Sequence, residues 1–94
     1  MAAVDTTVKN ATFQSTPLQD VLLKDVPGVG KVALEKLETK KITNAVQLMG
    51  QFFLMNRDEK EMSTWLVNEV DLREQDTEKI IKPLAEKSDK YVAS

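Results

Sequence analysis

The chain has 94 residues, of which 41% are hydrophobic and 30% charged, and its formal net charge at pH 7 is −2. This mixture is typical of one globular domain and excludes collagen-like and wholly disordered chains; the longest apolar run, residues 52–55, is far shorter than a membrane helix of about 18–20 residues. Cysteine and histidine are absent, which excludes disulfides, cysteine nucleophiles, histidine bases and Cys/His metal sites.

Apolar residues recur three and four positions apart along most of the chain, and strand-like alternation is nearly absent. This pattern predicts an all-α fold, a small bundle of five or six helices in a single domain over residues 1–94. In chain order we predict helices over residues 5–13, 18–24, 31–40, 44–55, 59–70 and 73–90. Pro17 should separate the first two helices, because the residue before a proline disfavours the α conformation.

Polar residues and one further proline indicate where the predicted helices begin and end. Asp5 or Thr6 should be the N-cap of the first helix, Thr43 that of the fourth and Asp58 that of the fifth. Pro83 lies inside the last predicted helix. We expect it to kink that helix or to end it early, because proline has no N–H to donate.

The segment Val26-Pro27-Gly28-Val29-Gly30 joins the second and third predicted helices. Proline second and glycine third are the signature of a type II turn, whose third position needs a positive φ. We predict that the amides of Gly28, Gly30 and Val32 point outward at the start of the next helix, where they would hold a phosphate. Such a helix-hairpin-helix grips the DNA backbone and reads no sequence.

Two lysines near this turn favour the phosphate interpretation. Lys31 stands beside the predicted amides, and Lys36 follows just over one helical turn later. The alternative is an ordinary turn between two helices that happens to use proline and glycine. The net charge of −2 does not by itself indicate a nucleic-acid partner, so DNA binding would have to arise from this local geometry.

The helix predicted over residues 44–55 is apolar on nearly all sides. One face carries Ala45, Leu48, Met49, Phe52 and Phe53, and a second carries Val46, Met49, Gly50 and Phe53. Because a chain of this size has one core, we predict that the second face is a homodimer interface. A mid-helix glycine costs about 1 kcal/mol relative to alanine, which a close helix crossing would explain. The alternative is that Gly50 admits a bulky side chain of its own chain.

The remaining features predict no catalysis, no cofactor and no metal. The sequence has no glycine-rich nucleotide loop, and Asp58, Glu59 and Glu61 are typical of a helix start that the dipole favours. Trp65 is the single tryptophan. It is either a core anchor or a half-exposed aromatic residue in a partner groove.

Further short motifs follow the hairpin: Lys36-Leu37-Glu38, Gly50-Gln51-Phe52, Asp58-Glu59 and Trp65-Leu66. In order and spacing, the set resembles the barrier-to-autointegration factor family over about residues 5–70. Phe13 and Pro17 match the same register upstream. The chain departs from the animal members at Lys87, where the resemblance leads us to expect an aromatic residue.

The resemblance implies a SAM-like bundle that forms an obligate homodimer. Each protomer would present one hairpin, on opposite sides of the dimer, so that one dimer bridges two DNA duplexes. Carried over position by position and joined with the hairpin's own residues, the predicted DNA contacts are Lys9, Gly28, Val29, Gly30, Lys31, Val32, Lys36, Arg73 and Glu74.

The resemblance also implies partners and regulation. A groove across the dimer would bind LEM-domain proteins of the inner nuclear membrane, with Leu54 and Trp65 in the groove. The protein would then lie in the nucleus, at chromatin and the nuclear envelope. Kinases would switch off DNA binding at Thr6 and Thr7, because a phosphate group there repels DNA.

Two other functions stay open at this point. One is a protein-interaction adaptor dimer that has lost most of its DNA affinity, which the net charge of −2, Glu74 and Glu78 favour. The other is a helix-hairpin-helix accessory part of a repair enzyme.

Overall fold

The computed structural model describes the backbone of residues 2–92 and the side chains of residues 8–92. The α-helices are α1 (Ala2–Ser15), α2 (Lys31–Thr39), α3 (Ala45–Leu54), α4 (Glu59–Asn68) and α5 (Glu74–Val92). The predicted all-α class is confirmed. The first and last helices extend beyond their predicted ends.

One apolar core lies between the helices. The long helix α5 packs against both α1 and α4, and α3 packs against α4. The largest fully buried side chains include Phe13, Leu37, Leu48, Met49, Phe52, Met62, Leu66, Ile80 and Leu84. Burial of each stabilises the fold by about 1.5–3 kcal/mol relative to an exposed position, so this core fixes how the loops between the helices are held.

The prediction of a helix over residues 18–24 is wrong. That segment forms two short 3-10 turns, Leu18–Asp20 and Leu23–Asp25, with extended backbone between them. Val21 and Leu23 are buried while Leu22 is 57% exposed. Burial therefore alternates with the period of an extended chain, and the apolar run that suggested a helix fits this segment equally well. The hairpin is thus entered from a 3-10 turn.

Two helix starts are closed by side chains. The Asp58 carboxylate accepts a hydrogen bond from the Glu61 N–H at 3.0 Å, which confirms the predicted N-cap of α4. The predicted cap of α3 is off by one residue, because Asn44 accepts from the Gln47 N–H at 2.8 Å. Thr43 instead donates its backbone N–H to the Gln47 side chain at 2.6 Å.

Helix α5 does not end at Pro83. Proline cannot donate to the carbonyl four residues earlier, that of Lys79. The backbone at Gly28 approaches this carbonyl closely: a Cβ added to Gly28 would lie 2.7 Å from both the Lys79 carbonyl carbon and its oxygen. The carbonyl of Pro83 in turn accepts a hydrogen bond from the Gln14 amide at 2.8 Å. Helix α5 thus continues through Pro83, with tertiary contacts at the Lys79 carbonyl and at the Pro83 carbonyl.

Lys87, which stands in place of an expected aromatic residue, is 2% exposed. Its Nζ donates to the carbonyls of Phe13 at 2.7 Å and Thr16 at 2.6 Å, and lies 5.0 Å from the centre of the Phe13 ring. Lys90 donates to the Gln14 carbonyl at 2.6 Å. The two lysines thus close the C-terminus of α1, where the helix dipole favours positive charge. Burial lowers the pKa of Lys87, and the nearby Lys90 charge lowers it further.

Candidate nucleic-acid interface and dimer surface

The turn before α2 has the predicted type II form. The Val29 N–H donates to the Val26 carbonyl at 3.0 Å, and Gly28 has a φ of +88°. Val29 is only 4% exposed. The inclusion of Val29 among the DNA contacts was therefore wrong, because its N–H closes the turn and its side chain is in the core.

The start of α2 is left open by the sequence. Its N-cap is Gly30, whose φ of −92° and ψ of −174° are extended and which has no side chain to accept a hydrogen bond. The first turn contains no acidic residue. The Leu34 N–H donates to the Gly30 carbonyl at 2.8 Å, and the preceding amides of the first turn have no intrahelical partner. The helix dipole adds partial positive charge there, so an anion is the favoured guest.

A concave surface of about 430 Å³ adjoins this helix start, and we call it the hairpin surface. It is lined by Gly28, Gly30, Lys31, Val32, Ala33, Lys36, Leu72, Arg73 and Asp76. Six of the nine residues predicted to contact DNA therefore lie together. Val32 is 62% exposed, so its backbone is reachable from solvent at the same place.

Two cations of the hairpin surface are paired with acids. The Lys36 Nζ donates to the Asp71 carbonyl oxygen at 2.7 Å and lies 3.5 Å from its carboxylate. The Arg73 Nε donates to the Asp76 carboxylate at 3.0 Å. The sequence pattern did not identify Asp71 and Asp76 as part of this surface. For Asp76 a signal existed, because it stands three residues after Arg73, within helical pairing distance; for Asp71 there was none.

Lys9 and Glu74 do not line the hairpin surface. The Lys9 Nζ donates to the Lys24 carbonyl at 3.1 Å, beside the 3-10 turn that leads into the hairpin, and Lys9 lines a separate cavity of about 210 Å³. Glu74 lines a different cleft, next to Ser63 and Thr64 of α4. The start of α5 thus contributes Arg73 to the hairpin surface and directs Glu74 elsewhere.

The outer face of α3 carries an apolar stripe formed by Val46, Gly50 and Phe53, one helical turn apart. Val46 is 47% exposed, and Phe53 is partly buried. Met49 is 1% exposed, so its assignment to this face was wrong: it belongs to the core of its own chain. Apart from the helix's own backbone and the two adjacent residues, no described atom lies within 4 Å of a Cβ built on Gly50. The alternative that Gly50 admits a side chain of the same chain is therefore excluded for the described residues.

Trp65 shows features of both predicted roles, the core anchor and the groove residue. It packs against the core and also lines an open groove of about 460 Å³ with Met55, Asp58, Lys60, Glu61, Thr64, Asn68 and Glu69. Leu54, the other predicted groove residue, is 79% exposed but does not line that groove. The side chains of Thr6 and Thr7 lie outside the described residues.

Within residues 8–92, His, Cys, Asp and Glu side chains form no group of three or more that could hold a metal ion. Over the described helices, none combines the length and apolar character that crossing a membrane requires.

Comparison with known proteins accounts for nearly the whole chain. A family model described as barrier to autointegration factor matches residues 4–91. A relative described as barrier-to-autointegration factor, from Danio rerio, is 30% identical over 61 residues, which cover 65% of this chain and 68% of the relative. The resemblance first drawn from the hairpin and the ordered motifs is confirmed, and the chain belongs to the barrier-to-autointegration factor family.

Proposed function

We propose that this chain is a sequence-nonspecific, double-stranded DNA-binding protein that acts as a homodimer and bridges two duplexes. The observation that carries the proposal is the open start of α2 at Gly30, set among Lys31, Lys36 and Arg73 on one concave surface. Membership in the barrier-to-autointegration factor family supports it.

The chemistry of the hairpin surface favours phosphate over bases. Backbone amides at a helix start and lysine ammonium groups bind phosphate oxygens, which are the same in every sequence. A base-reading protein instead needs side chains on an element that enters a groove. Binding should therefore depend strongly on salt and weakly on sequence.

The apolar stripe of α3 supports the dimer. A glycine in the middle of a helix costs about 1 kcal/mol relative to alanine, and Gly50 has no described neighbour that needs the space. Close approach of the same helix in a second copy would use it. A dimer with one hairpin surface per protomer has two DNA sites, which is what bridging requires.

We further propose the setting that the family implies: a non-enzymatic role in the nucleus, at chromatin and the nuclear envelope, with LEM-domain proteins as partners near Leu54 and Trp65. Phosphorylation at Thr6 or Thr7 would weaken DNA binding by charge repulsion. The second candidate function is an adaptor dimer with little DNA affinity. The acids Asp71 and Asp76 beside the hairpin cations favour it.

The DNA proposal is tested by fluorescence anisotropy with two duplexes of unrelated sequence across a salt series. Lys31→Gln removes a cation that has no described structural bond, and it should weaken binding to both duplexes about equally. The slope of log affinity against log salt should fall by about 0.9 for the lost phosphate contact. The matched control is Lys60→Gln on α4, which should change neither quantity. Unequal losses for the two duplexes would contradict a backbone clamp, and absence of wild-type binding at low salt would favour the adaptor.

Substitution of Gly50 tests the dimer proposal, because the expected effect is favourable in a monomer and unfavourable in a dimer. In a monomer, Gly50→Ala should stabilise α3, because alanine is the better helix former and the space is open. In a dimer that uses the glycine for close approach, the same change should weaken association, measured by sedimentation equilibrium. Glu35→Ala on the exposed side of α2 is the control for a general helix effect. A weakened dimer should still bind one duplex but fail to capture a second, labelled duplex.

A further inference from the structure

We propose that Asp76, and to a smaller extent Asp71, are affinity-determining residues of the hairpin surface: the Asp76 carboxylate occupies Arg73, so that a DNA phosphate must displace it, and the Asp71 carboxylate adds negative charge beside Lys36. The inference rests on the proposed DNA-binding function and concerns what limits its strength. It assigns a binding role to two acids that are not themselves DNA ligands.

Asp76 has the stronger geometry. Its carboxylate is 3.0 Å from the Arg73 Nε, and the side chains are 29% and 74% exposed, respectively. Both residues belong to the start of α5, where the Asp76 N–H donates to the Arg73 carbonyl at 2.9 Å. The pair is thus held by local backbone structure, and partial burial of the carboxylate reduces its screening by salt. A phosphate that approaches Arg73 meets a negative charge already in place.

Asp71 acts on Lys36 in a weaker way. Its carboxylate is 93% exposed and 3.5 Å from the Lys36 Nζ, a distance and exposure at which an ion pair contributes little. The Lys36 Nζ is held mainly by the Asp71 carbonyl oxygen at 2.7 Å. Removing the carboxylate charge therefore leaves Lys36 in position and only makes its surroundings less negative.

Asparagine is a suitable replacement at both positions. Asp71 has a φ of +64°, a left-handed conformation in which asparagine is among the best tolerated residues. At position 76 the amide oxygen of asparagine can still accept from Arg73, but without the charge that competes with phosphate. The two substitutions thus isolate charge from shape.

The matched control is Asp89→Asn. Asp89 carries the same charge, lies on the same helix and pairs with Arg57 at 2.6 Å, but it stands 13 residues beyond Asp76, about 20 Å along the helix. That distance exceeds the screening length at physiological salt, about 8 Å. It changes the net charge of the protein as the test variants do, away from the hairpin surface.

The experiment measures anisotropy of one duplex with the full chain and each variant across a salt series. At physiological salt we expect Asp76→Asn to bind DNA about five- to tenfold more tightly than wild type, and Asp71→Asn about two- to threefold more tightly. Asp89→Asn should remain at wild-type affinity. The salt slope of Asp76→Asn should steepen by up to about 0.9, because Arg73 is then free to neutralise one more phosphate. Circular dichroism verifies that each variant is folded.

Three results would overturn the inference while leaving DNA binding intact: equal tightening by all three variants, which reports net charge alone; no tightening by Asp76→Asn; or an Asp71 effect larger than that of Asp76. DNA binding by the Asp71→Asn, Asp76→Asn double variant alone, with none by wild type, would support the inference in its strongest form.

If neither wild type nor the double variant binds DNA, the proposed function fails and a second probe decides the inference. Inorganic tripolyphosphate is titrated while NMR follows the backbone amides of Gly28 and Gly30. Tighter binding to the double variant than to Asp89→Asn supports the inference, and equal or absent binding overturns it.

Discussion

The starts of α2 and α4 are built in opposite ways. At α4, the Asp58 carboxylate caps the helix and Glu59 and Glu61 stand in its first turn. At α2, Gly30 offers no cap and the first turn carries no acid. Every helix start presents free N–H groups and partial positive charge. The two helix starts therefore differ in whether side chains of the protein pair with these groups. The chain closes α4 with its own side chains and provides no such side chain at α2; the proposed phosphate site rests on this difference.

The largest expected effect tests the turn that holds the open end in place. Gly28→Ala forces a residue with a Cβ into a φ of +88° and brings that Cβ to 2.7 Å from the Lys79 carbonyl. Left-handed strain and overpacking against backbone together should lower the free energy of unfolding by about 2–5 kcal/mol. Chemical denaturation measures the loss.

Gly30→Ala is the control for that prediction. Its backbone is extended, and apart from its two chain neighbours no atom of the described residues lies within 4 Å of an added Cβ. The cost in unfolding free energy should stay below about 1 kcal/mol. Similar losses at both glycines would mean that the close approach of the turn to α5 is not what requires Gly28.

The second prediction concerns a substitution that gives the start of α2 a capping side chain. Gly30→Asp should place a carboxylate over the first-turn amides of α2, as Asp58 does on α4. We expect the free energy of unfolding to rise by about 0.5–1 kcal/mol, from the cap and the dipole together. DNA affinity should fall at least about tenfold, because the carboxylate takes the place of the phosphate.

Gly30→Asn separates the two contributions. The amide oxygen caps the helix without a negative charge, so stability should rise by a similar amount while DNA affinity falls less. Loss of stability together with loss of DNA binding in both variants would contradict the view that α2 is left open for a ligand.

The contrast between the two helix starts was largely predictable from the sequence. Asp58 followed by acids, and proline and glycine at the second and third turn positions, act through neighbours in the chain, and both predictions are confirmed. Six of the residues predicted to contact DNA, from the hairpin and from the family resemblance, also lie on one surface. For the helix cap and for the turn, the cause lies within about four residues along the chain.

Features that depend on distant residues were not predictable. The alternation of burial at Val21 and Leu23 is imposed by the core, and it replaces an expected helix. Met49 and Gly50 are neighbours in sequence, yet the packing of α3 buries Met49 and leaves Gly50 partly exposed, with open space beside it. Pro83 lies within α5, and Gly28, 55 positions earlier, packs close to the Lys79 carbonyl that the proline leaves without a helical donor.

The third prediction concerns a substitution that removes the capping side chain of α4. Asp58→Ala deletes the carboxylate that accepts the Glu61 N–H and should lower the free energy of unfolding by about 1 kcal/mol. DNA affinity should not change, because Asp58 lines the groove beside Trp65 and not the hairpin surface. Denaturation and anisotropy on one preparation measure both quantities. A change in DNA affinity as large as that of Gly30→Asp would remove the distinction between the two helix starts.

The smallest expected effect concerns the C-terminus of α1, where Lys87 donates hydrogen bonds to the Phe13 and Thr16 carbonyls. Burial, and then the Lys90 charge, lower the pKa of Lys87 below its ordinary 10.5. At pH values below the lowered pKa, the lysine is charged in both states and the cost of burying the charge is present in full. As pH rises from there toward 10.5, the folded state releases the proton first, and that cost is relieved. The free energy of unfolding should therefore gain a positive contribution from Lys87 across this alkaline window.

Lys87→Met provides the reference for the pH series, because it removes the titrating group and keeps a similar volume. The neutral amine of wild type still has two N–H donors for the Phe13 and Thr16 carbonyls, so deprotonation need not open the end of α1. Denaturation midpoints at successive pH values should thus show wild type gaining stability relative to Lys87→Met as pH approaches 10.5. A relative loss would mean that the charge itself holds α1 closed. In that case the closed C-terminus of α1 would depend on electrostatics as strongly as the open start of α2 does.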